Sequence, residues 1–104
     1  MKYCMIETAF DQKEELNKVV DILLKEKLVS SCQVITSNSA WNWQGQRENA
    51  EEYLLLMKTK QELAKEVYQK IKEHHSYETF EFAIFDLTSY STEYLEWIKT
   101  ETKN

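Results

Sequence analysis

The stretch from His75 to Phe82, HSYETFEF, carries an imidazole, a phenol and two carboxylates within seven residues. An imidazole changes its charge near neutral pH and is a common metal ligand, so the stretch could form a site. Glu78 and Glu81 lie three residues apart, however, and in an extended chain their carboxylates face opposite sides and form no pair. The same residues also fit a loop that ends a helix at His75 and begins a strand. Both hypotheses stay open at this point.

Composition removes several classes of function. Gly45 is the only glycine, which excludes the glycine-rich loops that cradle phosphates in nucleotide-binding proteins. No Gly-x-Ser-x-Gly motif and no Cys/His/Asn spacing indicates a nucleophilic triad, so we expect no enzyme. The formal net charge of -5 disfavours nucleic acid, which is bound by clustered lysine and arginine. No apolar run suits a membrane span or a secretory signal, and a cytoplasmic location is expected.

Hydrophobic periodicity predicts seven elements. Apolar residues between 16 and 24 recur at helical spacing, and Asp11 followed by Glu14 resembles a capping box at the start of that helix. The unbroken apolar run 53–57 predicts a strand that is buried on both faces and central in its sheet. Gly45 predicts a hairpin turn, because such a turn needs a positive φ. The elements are strand 2–9, helix 11–27, strands 30–44 and 50–60, a helix from a second capping box at 59–62 to about 74, strand 80–87, and a helix capped by Ser91.

The order β-α-β-β-α-β-α is that of a ferredoxin-like split βαβ fold with an extra C-terminal helix, in the α+β class. The chain is long enough for a single domain, residues 1–104. In this fold the first strand lies between the second hairpin strand and the last strand, which keeps Cys4 away from Cys32. We therefore expect two free thiols rather than a disulfide.

The predicted hairpin is too long for its own domain. Strands of this length reach about 45 Å at about 3.3 Å per residue. A domain of this size has a diameter of only about 35 Å. The tip carries Trp41 and Trp43 on one face, where free exposure of two indoles would be costly. We expect the hairpin to lie on a neighbouring chain in an oligomer; the alternative is a bend that folds the tip onto its own core.

Six segments, in this order and spacing over residues 3–100, resemble the CutA family of divalent-cation tolerance proteins. None is decisive alone, whereas the ordered set is specific. Proline usually stands in that family where this chain has Ser76 and Phe80, so the loop is expected to be less rigid here. The segments are Thr8-Ala9, LVSSCQV at 28–34, WNWQG at 41–45, EYLLLMKT at 52–59, HSYETFE at 75–81 and YLEWI at 94–98.

The resemblance implies a cytoplasmic homotrimer, with an architecture similar to the PII signalling proteins and a role in tolerance of copper and other divalent metals. It also implies that Cys32 and His75 are candidate metal contacts, with Glu78 and Glu81 as acidic neighbours. Trp41, Trp43 and Tyr77 are expected at the trimer interface. Because one chain offers few ligands, we expect copper or another divalent metal to bind weakly.

Each candidate also has a structural explanation. Cys32 fits a packed thiol, and His75 fits a group that hydrogen-bonds the last carbonyls of a helix. A second hypothesis for the whole chain is a PII-like signalling or scaffold module that binds a small anion or a protein in clefts between subunits. Lys58 and Lys60 would supply the cationic groups, although solvated lysines at a strand end are the expected case.

Overall fold

The computed structural model describes residues 1–104. Four strands form one antiparallel sheet in the order β2-β3-β1-β4, which confirms the α+β fold and the central position of the first strand. No helix has the length and apolar character needed to cross a membrane. The elements are β1 (Tyr3–Phe10), α1 (Lys13–Lys25), β2 (Ser31–Trp43), β3 (Gln46–Lys60), a 3-10 turn (Gln61–Leu63), α2 (Ala64–His74), β4 (Phe82–Asp86) and α3 (Thr92–Glu101).

β1 joins the two halves of the sheet. It pairs with β3 from Tyr3 opposite Lys60 to Phe10 opposite Tyr53, and its other edge pairs with β4. Successive side chains of a strand point to opposite faces, so alternate residues of β1 enter the core. The core lies between the sheet, α1 and α2. Its most deeply buried members include Cys4, Ile6, Phe10, Leu16, Leu23, Leu28, Leu55, Met57, Val67 and Ile71.

α1 begins without the predicted capping box. Its first residue is Lys13, its N-cap is Gln12, and no side chain caps the helix. One carboxylate oxygen of Asp11 is buried without a partner, so the expectation that Asp11 caps the helix was wrong. The helix ends where Lys27 adopts a left-handed conformation with φ of 56°. That conformation lets the Leu28 N–H donate to the carbonyl of Leu23 at 2.9 Å.

The hairpin formed by β2 and β3 is paired along its whole length, from Ser31 opposite Lys58 to Trp43 opposite Gln46. Gln44 and Gly45 form its turn, with φ values of 50° and 80°. Two successive positive φ values match the twist of the flanking strands, so the turn predicted at Gly45 is confirmed. β3 lies between β1 and β2, which confirms its predicted central place. The molecule measures 45 × 26 × 21 Å, and the hairpin accounts for its elongation.

The second predicted capping box, at 59–62, was also wrong. β3 continues to Lys60, and a 3-10 turn separates it from α2. Thr59 is fully buried, and its hydroxyl donates to the Leu28 carbonyl at 2.6 Å instead of capping a helix. This bond ties β3 to the segment that follows α1. By contrast, the predicted cap of α3 is confirmed, since Ser91 Oγ accepts from the Tyr94 N–H at 3.2 Å.

The two thiols are free and lie on different strands, as expected. Cys4 is opposite Thr59 on one edge of β3, and Cys32 is opposite Met57 on the other edge. β3 thus separates the two cysteines, and the topology leaves no route to a disulfide within one chain.

The face of the sheet opposite α1 and α2 is largely open. α3 packs against β3, and at the C-terminal end of β3 Lys60 Nζ donates to the carbonyl of Lys103 at 2.8 Å and to that of Thr102 at 3.5 Å. Lys60 is consequently 1% exposed. Farther along this open face, Ile35 is 51% exposed and Phe85 is 46% exposed.

The buried Thr59 hydroxyl yields a stability prediction. Thr59→Val keeps the shape of the side chain but leaves the Leu28 carbonyl without its donor, so the free energy of unfolding should fall by about 1–3 kcal/mol. Urea denaturation followed by circular dichroism measures this change. Thr36→Val, at an exposed position of β2, is the matched control and should change stability by less than about 0.5 kcal/mol. Equal midpoints for the two variants would contradict the structural role of Thr59.

Candidate functional site

His75 lies at the junction between α2 and the loop that leads to β4. α2 ends at His74, and the backbone of His75 is extended. The imidazole stacks between two phenyl rings, Phe10 at 4.3 Å and Phe80 at 4.7 Å between ring centroids. His75 is therefore a structural junction at the end of α2, because its ring connects β1 to the segment just before β4.

Both nitrogens of His75 are engaged. Nε2 lies 2.6 Å from the carbonyl oxygen of Ala9, which can only accept, so Nε2 carries the proton. Nδ1 then accepts from the Tyr77 N–H at 3.1 Å. A metal ion could bind this ring only if one of these bonds were broken.

The loop is held by polar contacts rather than by prolines. The Ser76 N–H donates to Glu15 Oε1 at 2.9 Å, and Thr8 Oγ1 donates to the Glu81 carbonyl at 2.6 Å. Tyr77 hydroxyl donates to Glu52 Oε2 at 2.8 Å. Burial raises the pKa of Tyr77, and the hydrogen bond to Glu52 raises it further. The phenol therefore stays protonated and fixes the loop to β3.

Three carboxylates converge beside this loop on the open face of the sheet: Glu7 of β1, Glu52 of β3 and Glu81. A side-chain hydrogen bond with Glu7 is the largest cause of a raised pKa for Glu81, followed by burial and by repulsion from Glu7 and Glu52. These effects bring the pKa of Glu81 from 4.5 to about 7. Glu81 is therefore the carboxyl of this group that holds a proton near neutral pH.

Sequence reasoning missed Glu7 and Glu52 as members of this group. The available signal was strand alternation, which places Glu7 on the face opposite the buried Ile6, and Glu52 on the face opposite Leu55. Pairing of β1 with β3 and β4 then brings these carboxylates to Glu81.

Cys32 lies away from the other predicted metal contacts. It packs against the core opposite Met57, and burial raises the pKa of its thiol to about 12. His75 contacts Ala9 of β1. Measured from Cys32, Ala9 lies two strands across the sheet and, at about 3.3 Å per residue, about 10 Å along the strands. One chain therefore does not bring Cys32 and His75 together. No group of three or more His, Cys, Asp or Glu side chains is placed to hold a metal ion.

Glu78 instead faces a cleft between the tip of the hairpin and the loop 76–79. We call it the tryptophan cleft, and its cavity is about 300 Å³. An adjoining cavity of about 710 Å³ shares its aromatic walls and reaches Glu52 and Glu81. The tip thus approaches a loop of its own chain, while its predicted contact with another subunit stays a prediction. The main lining residues of the first cavity are Trp41, Trp43, Glu48, Tyr77 and Glu78.

Lys58 and Lys60 are not the solvated lysines that were expected. Both are buried on the open side of β3. Lys58 Nζ donates to Gln33 Oε1 at 3.0 Å. Lys60 Nζ donates to the carbonyls of Thr102 and Lys103, which follow α3. Neither lysine lines the tryptophan cleft. An anion would therefore meet carboxylates there rather than these two cations.

The raised pKa of Glu81 predicts how stability depends on pH. The folded state binds the Glu81 proton more tightly than the unfolded chain, so stability is highest below pH 4.5 for this group and falls as pH rises through about 7. Glu81→Gln removes the repulsion and should raise Tm at pH 8 by about 1–3 °C, allowing for screening at a largely exposed carboxylate, with little change at pH 5.

Thermal unfolding at both pH values checks this expectation, with Glu51→Gln as a control that removes one exposed carboxylate of β3 elsewhere. The control should shift Tm equally at the two pH values. A Glu81→Gln variant with the same pH dependence as the wild type would refute the raised pKa of Glu81.

Comparison with known proteins gives a consistent family. The family model described as CutA1 divalent ion tolerance protein matches residues 4–101. The divalent-cation tolerance protein CutA of Pyrococcus horikoshii is 31% identical over 99 residues, which cover 95% of this chain and 97% of that protein. The chloroplastic protein CutA of Arabidopsis thaliana is 29% identical over 93 residues, which cover 88% of this chain and 51% of that protein.

Solved structures agree with these matches. A crystal structure of CutA1 from Pyrococcus horikoshii superposes with a TM-score of 0.91 at 30% identity, covering 97% of this chain and 99% of that one. The structure described as the periplasmic divalent cation tolerance protein CutA from Archaeoglobus fulgidus gives a TM-score of 0.93 at 27% identity, with the same coverage. Sequence and fold together place this chain in the CutA1 divalent ion tolerance protein family.

Proposed function

We propose that this chain is a divalent-cation tolerance protein that acts in the cytoplasm as a homotrimer. In this proposal it binds copper or another divalent cation weakly and catalyses no reaction. The observation that carries the proposal is the family match over residues 4–101, since a relative that covers nearly the whole chain bears the divalent-cation tolerance name.

The open face of the sheet supports assembly. α1 and α2 cover one face, whereas Ile35 and Phe85 stand about half exposed on the other. Ile35 of β2 lies opposite Leu54 of β3, and Phe85 of β4 lies opposite Met5 of β1. Apolar side chains therefore extend across all four strands. A second chain that covered this face would remove that surface from water, with a gain of about 25 cal/mol per Å². Trp43 at the hairpin tip would lie at the rim of such a contact.

Weak metal binding follows from the separation of the candidate ligands. A tight transition-metal site needs three or four ligands, and one chain groups no such set. Threefold symmetry would place equivalents of Cys32, His75 and Glu78 from neighbouring chains around one axis. The carboxylates Glu7 and Glu52 add a negative potential that attracts cations to the open face of the sheet.

A role without catalysis is supported by the state of the reactive groups. The Cys32 thiol is a poor nucleophile, because burial raises its pKa to about 12. Both nitrogens of His75 already have partners, so the ring is not free to act as a base. These two groups also lie far apart, and they form no nucleophile–base pair.

Assembly is tested by native mass spectrometry at micromolar concentration. We expect a species at three times 12.5 kDa. Phe85→Glu places a charge on the open face and should convert most of the protein to monomer, because an unpaired charge in an apolar interface is strongly unfavourable. Leu24→Glu, at a 42% exposed position of α1, is the matched control and should leave the trimer intact. A wild type that is mainly monomeric would contradict the proposal.

Copper binding is tested by calorimetric titration. The wild type should bind copper at micromolar affinity or more weakly, because His75 must give up a hydrogen bond and Cys32 a proton to bind it. Cys32→Ser and His75→Gln should each weaken binding by about tenfold. Glu93→Gln, on α3, should have no effect. Nanomolar binding, or binding that neither Cys32 nor His75 influences, would rule out these contacts.

A further inference from the structure

The imidazole of His75 is an inner member of a stack of aromatic rings. Phe10 lies on one face at 4.3 Å between ring centroids, with the two planes 17° apart. Phe80 lies on the other face at 4.7 Å and 12°. Tyr68 of α2 in turn backs Phe80 at 5.5 Å and 25°. The stack therefore runs from β1 through the imidazole to α2.

The two rings that flank His75 are held to different degrees. Phe10 is 0% exposed and belongs to the hydrophobic core. Phe80 is only partly buried, and it precedes the strand ladder of β4, which begins at Phe82. Phe10 cannot move without disturbing the core, since protein interiors are close-packed. Phe80 is therefore the ring that decides how freely the imidazole can turn.

The stack keeps the edge of the imidazole against its two hydrogen-bond partners. Nε2 donates to the Ala9 carbonyl at 2.6 Å, and Nδ1 accepts from the Tyr77 N–H at 3.1 Å. Rotation about the Cβ–Cγ bond of His75 would break both bonds and would turn the ring edges toward Phe10 and Phe80. Aromatic rings at these separations are in contact, so the stack opposes that rotation.

Only one nitrogen of this ring carries a lone pair. Nε2 holds the proton, so Nδ1 is the nitrogen that a metal ion would bind. A histidine that binds a metal commonly donates its other ring N–H to a carbonyl, as Nε2 does here to Ala9. The Nδ1 lone pair, however, already accepts from the Tyr77 N–H. The ring thus has the tautomer of a metal ligand, but its coordinating atom is blocked.

This blockage lowers the metal affinity that would be measured. When only a fraction of the molecules can bind, the apparent dissociation constant is the intrinsic one divided by that fraction. The competent form of His75 has Nδ1 released from the Tyr77 N–H. A contact that exists only in the blocked form makes the competent fraction smaller. One stacked aromatic pair changes such an equilibrium by about 2- to 12-fold.

We propose that Phe80 is a positioning residue that sets the metal affinity of His75, because it holds the imidazole in the orientation that blocks Nδ1. The inference rests on the proposed function, in which His75 is a metal contact. It assigns part of the weak binding expected there to the aromatic stack, in addition to the small number of ligands. Phe80 contacts the imidazole and no metal, so its effect acts through His75.

The first measurement uses no metal. The full chain in its native assembly is isotopically labelled, and exchange of the His75 Nε2 proton with water is followed by NMR. Phe80→Leu removes the stacked ring but keeps an apolar side chain, so exchange should become about 2- to 12-fold faster. Phe82→Leu is the matched control, because Phe82 packs edge-on against the same Tyr68 at 5.1 Å and forms no stack with His75. It should leave exchange unchanged.

The second measurement is calorimetric titration of these proteins with copper chloride. Phe80→Leu should bind copper about 2- to 12-fold more tightly than the wild type, whereas Phe82→Leu should bind it equally. Phe80→Met, which also lacks a ring, should give the same gain, and Phe80→Tyr, which keeps one, should give none. Combining Phe80→Leu with His75→Gln should abolish the gain. A loss of stability alone would weaken binding, so tighter binding separates the proposed role from a merely structural one.

Two results would overturn the role of Phe80. The first is a Phe80→Leu variant with the exchange rate of the wild type, which would mean that Phe80 does not hold the ring. The second is faster exchange without tighter copper binding, which would mean that the orientation of the ring does not set the affinity. Failure of the proposed function has a different signature. Wild-type copper binding would then be unchanged by His75→Gln, and this result would remove His75 as a metal contact together with the role of Phe80.

Discussion

The antiparallel ladder between β1 and β3 sends Cys4, Ile6 and Phe10 to one face and Met5 and Glu7 to the other. α1 and α2 both cover the first face. The second face is therefore formed by the side chains at the alternate strand positions, and no helix covers most of it. Those positions hold apolar residues near the middle of the sheet and carboxylates near the loop 76–79. The exposed apolar surface, the raised pKa of Glu81 beside Glu7, and the anchor for Tyr77 all depend on this ladder.

Periodicity was sufficient to predict α1, the hairpin and its turn, because helical spacing and the need for a positive φ at Gly45 are properties of short segments. The beginnings of α1 and α2 could not be predicted in the same way. Asp11 and Thr59 have the residue types of helix caps, but Thr59 bonds the Leu28 carbonyl, a contact 31 residues away in sequence. A tertiary contact overrode local preference at Thr59, whereas a buried oxygen of Asp11 has no hydrogen-bond partner at all.

The candidate site was even harder to predict from the sequence, because its contacts join residues that are far apart in the chain. HSYETFEF was recognisable as a junction, yet the partners of His75 are Phe10 and Ala9, 65 and 66 residues earlier. The hydrogen bond of Nε2 follows from that distant contact, whereas Nδ1 accepts from the N–H of Tyr77, two residues later. Glu7 and Glu52 became part of the site only through strand pairing. Lys60 appeared to be solvated because its burial depends on residues that follow α3.

The burial of Lys60 also concerns the order in which the chain is made. Its ammonium leaves water only when the carbonyls of Thr102 and Lys103 are present, and Thr102 comes 42 residues later in the sequence. A nascent chain that has completed β3 must therefore keep this end of the sheet hydrated during synthesis of α2, β4 and α3. The sheet can therefore close around Lys60 only once Thr102 and Lys103 have been synthesised.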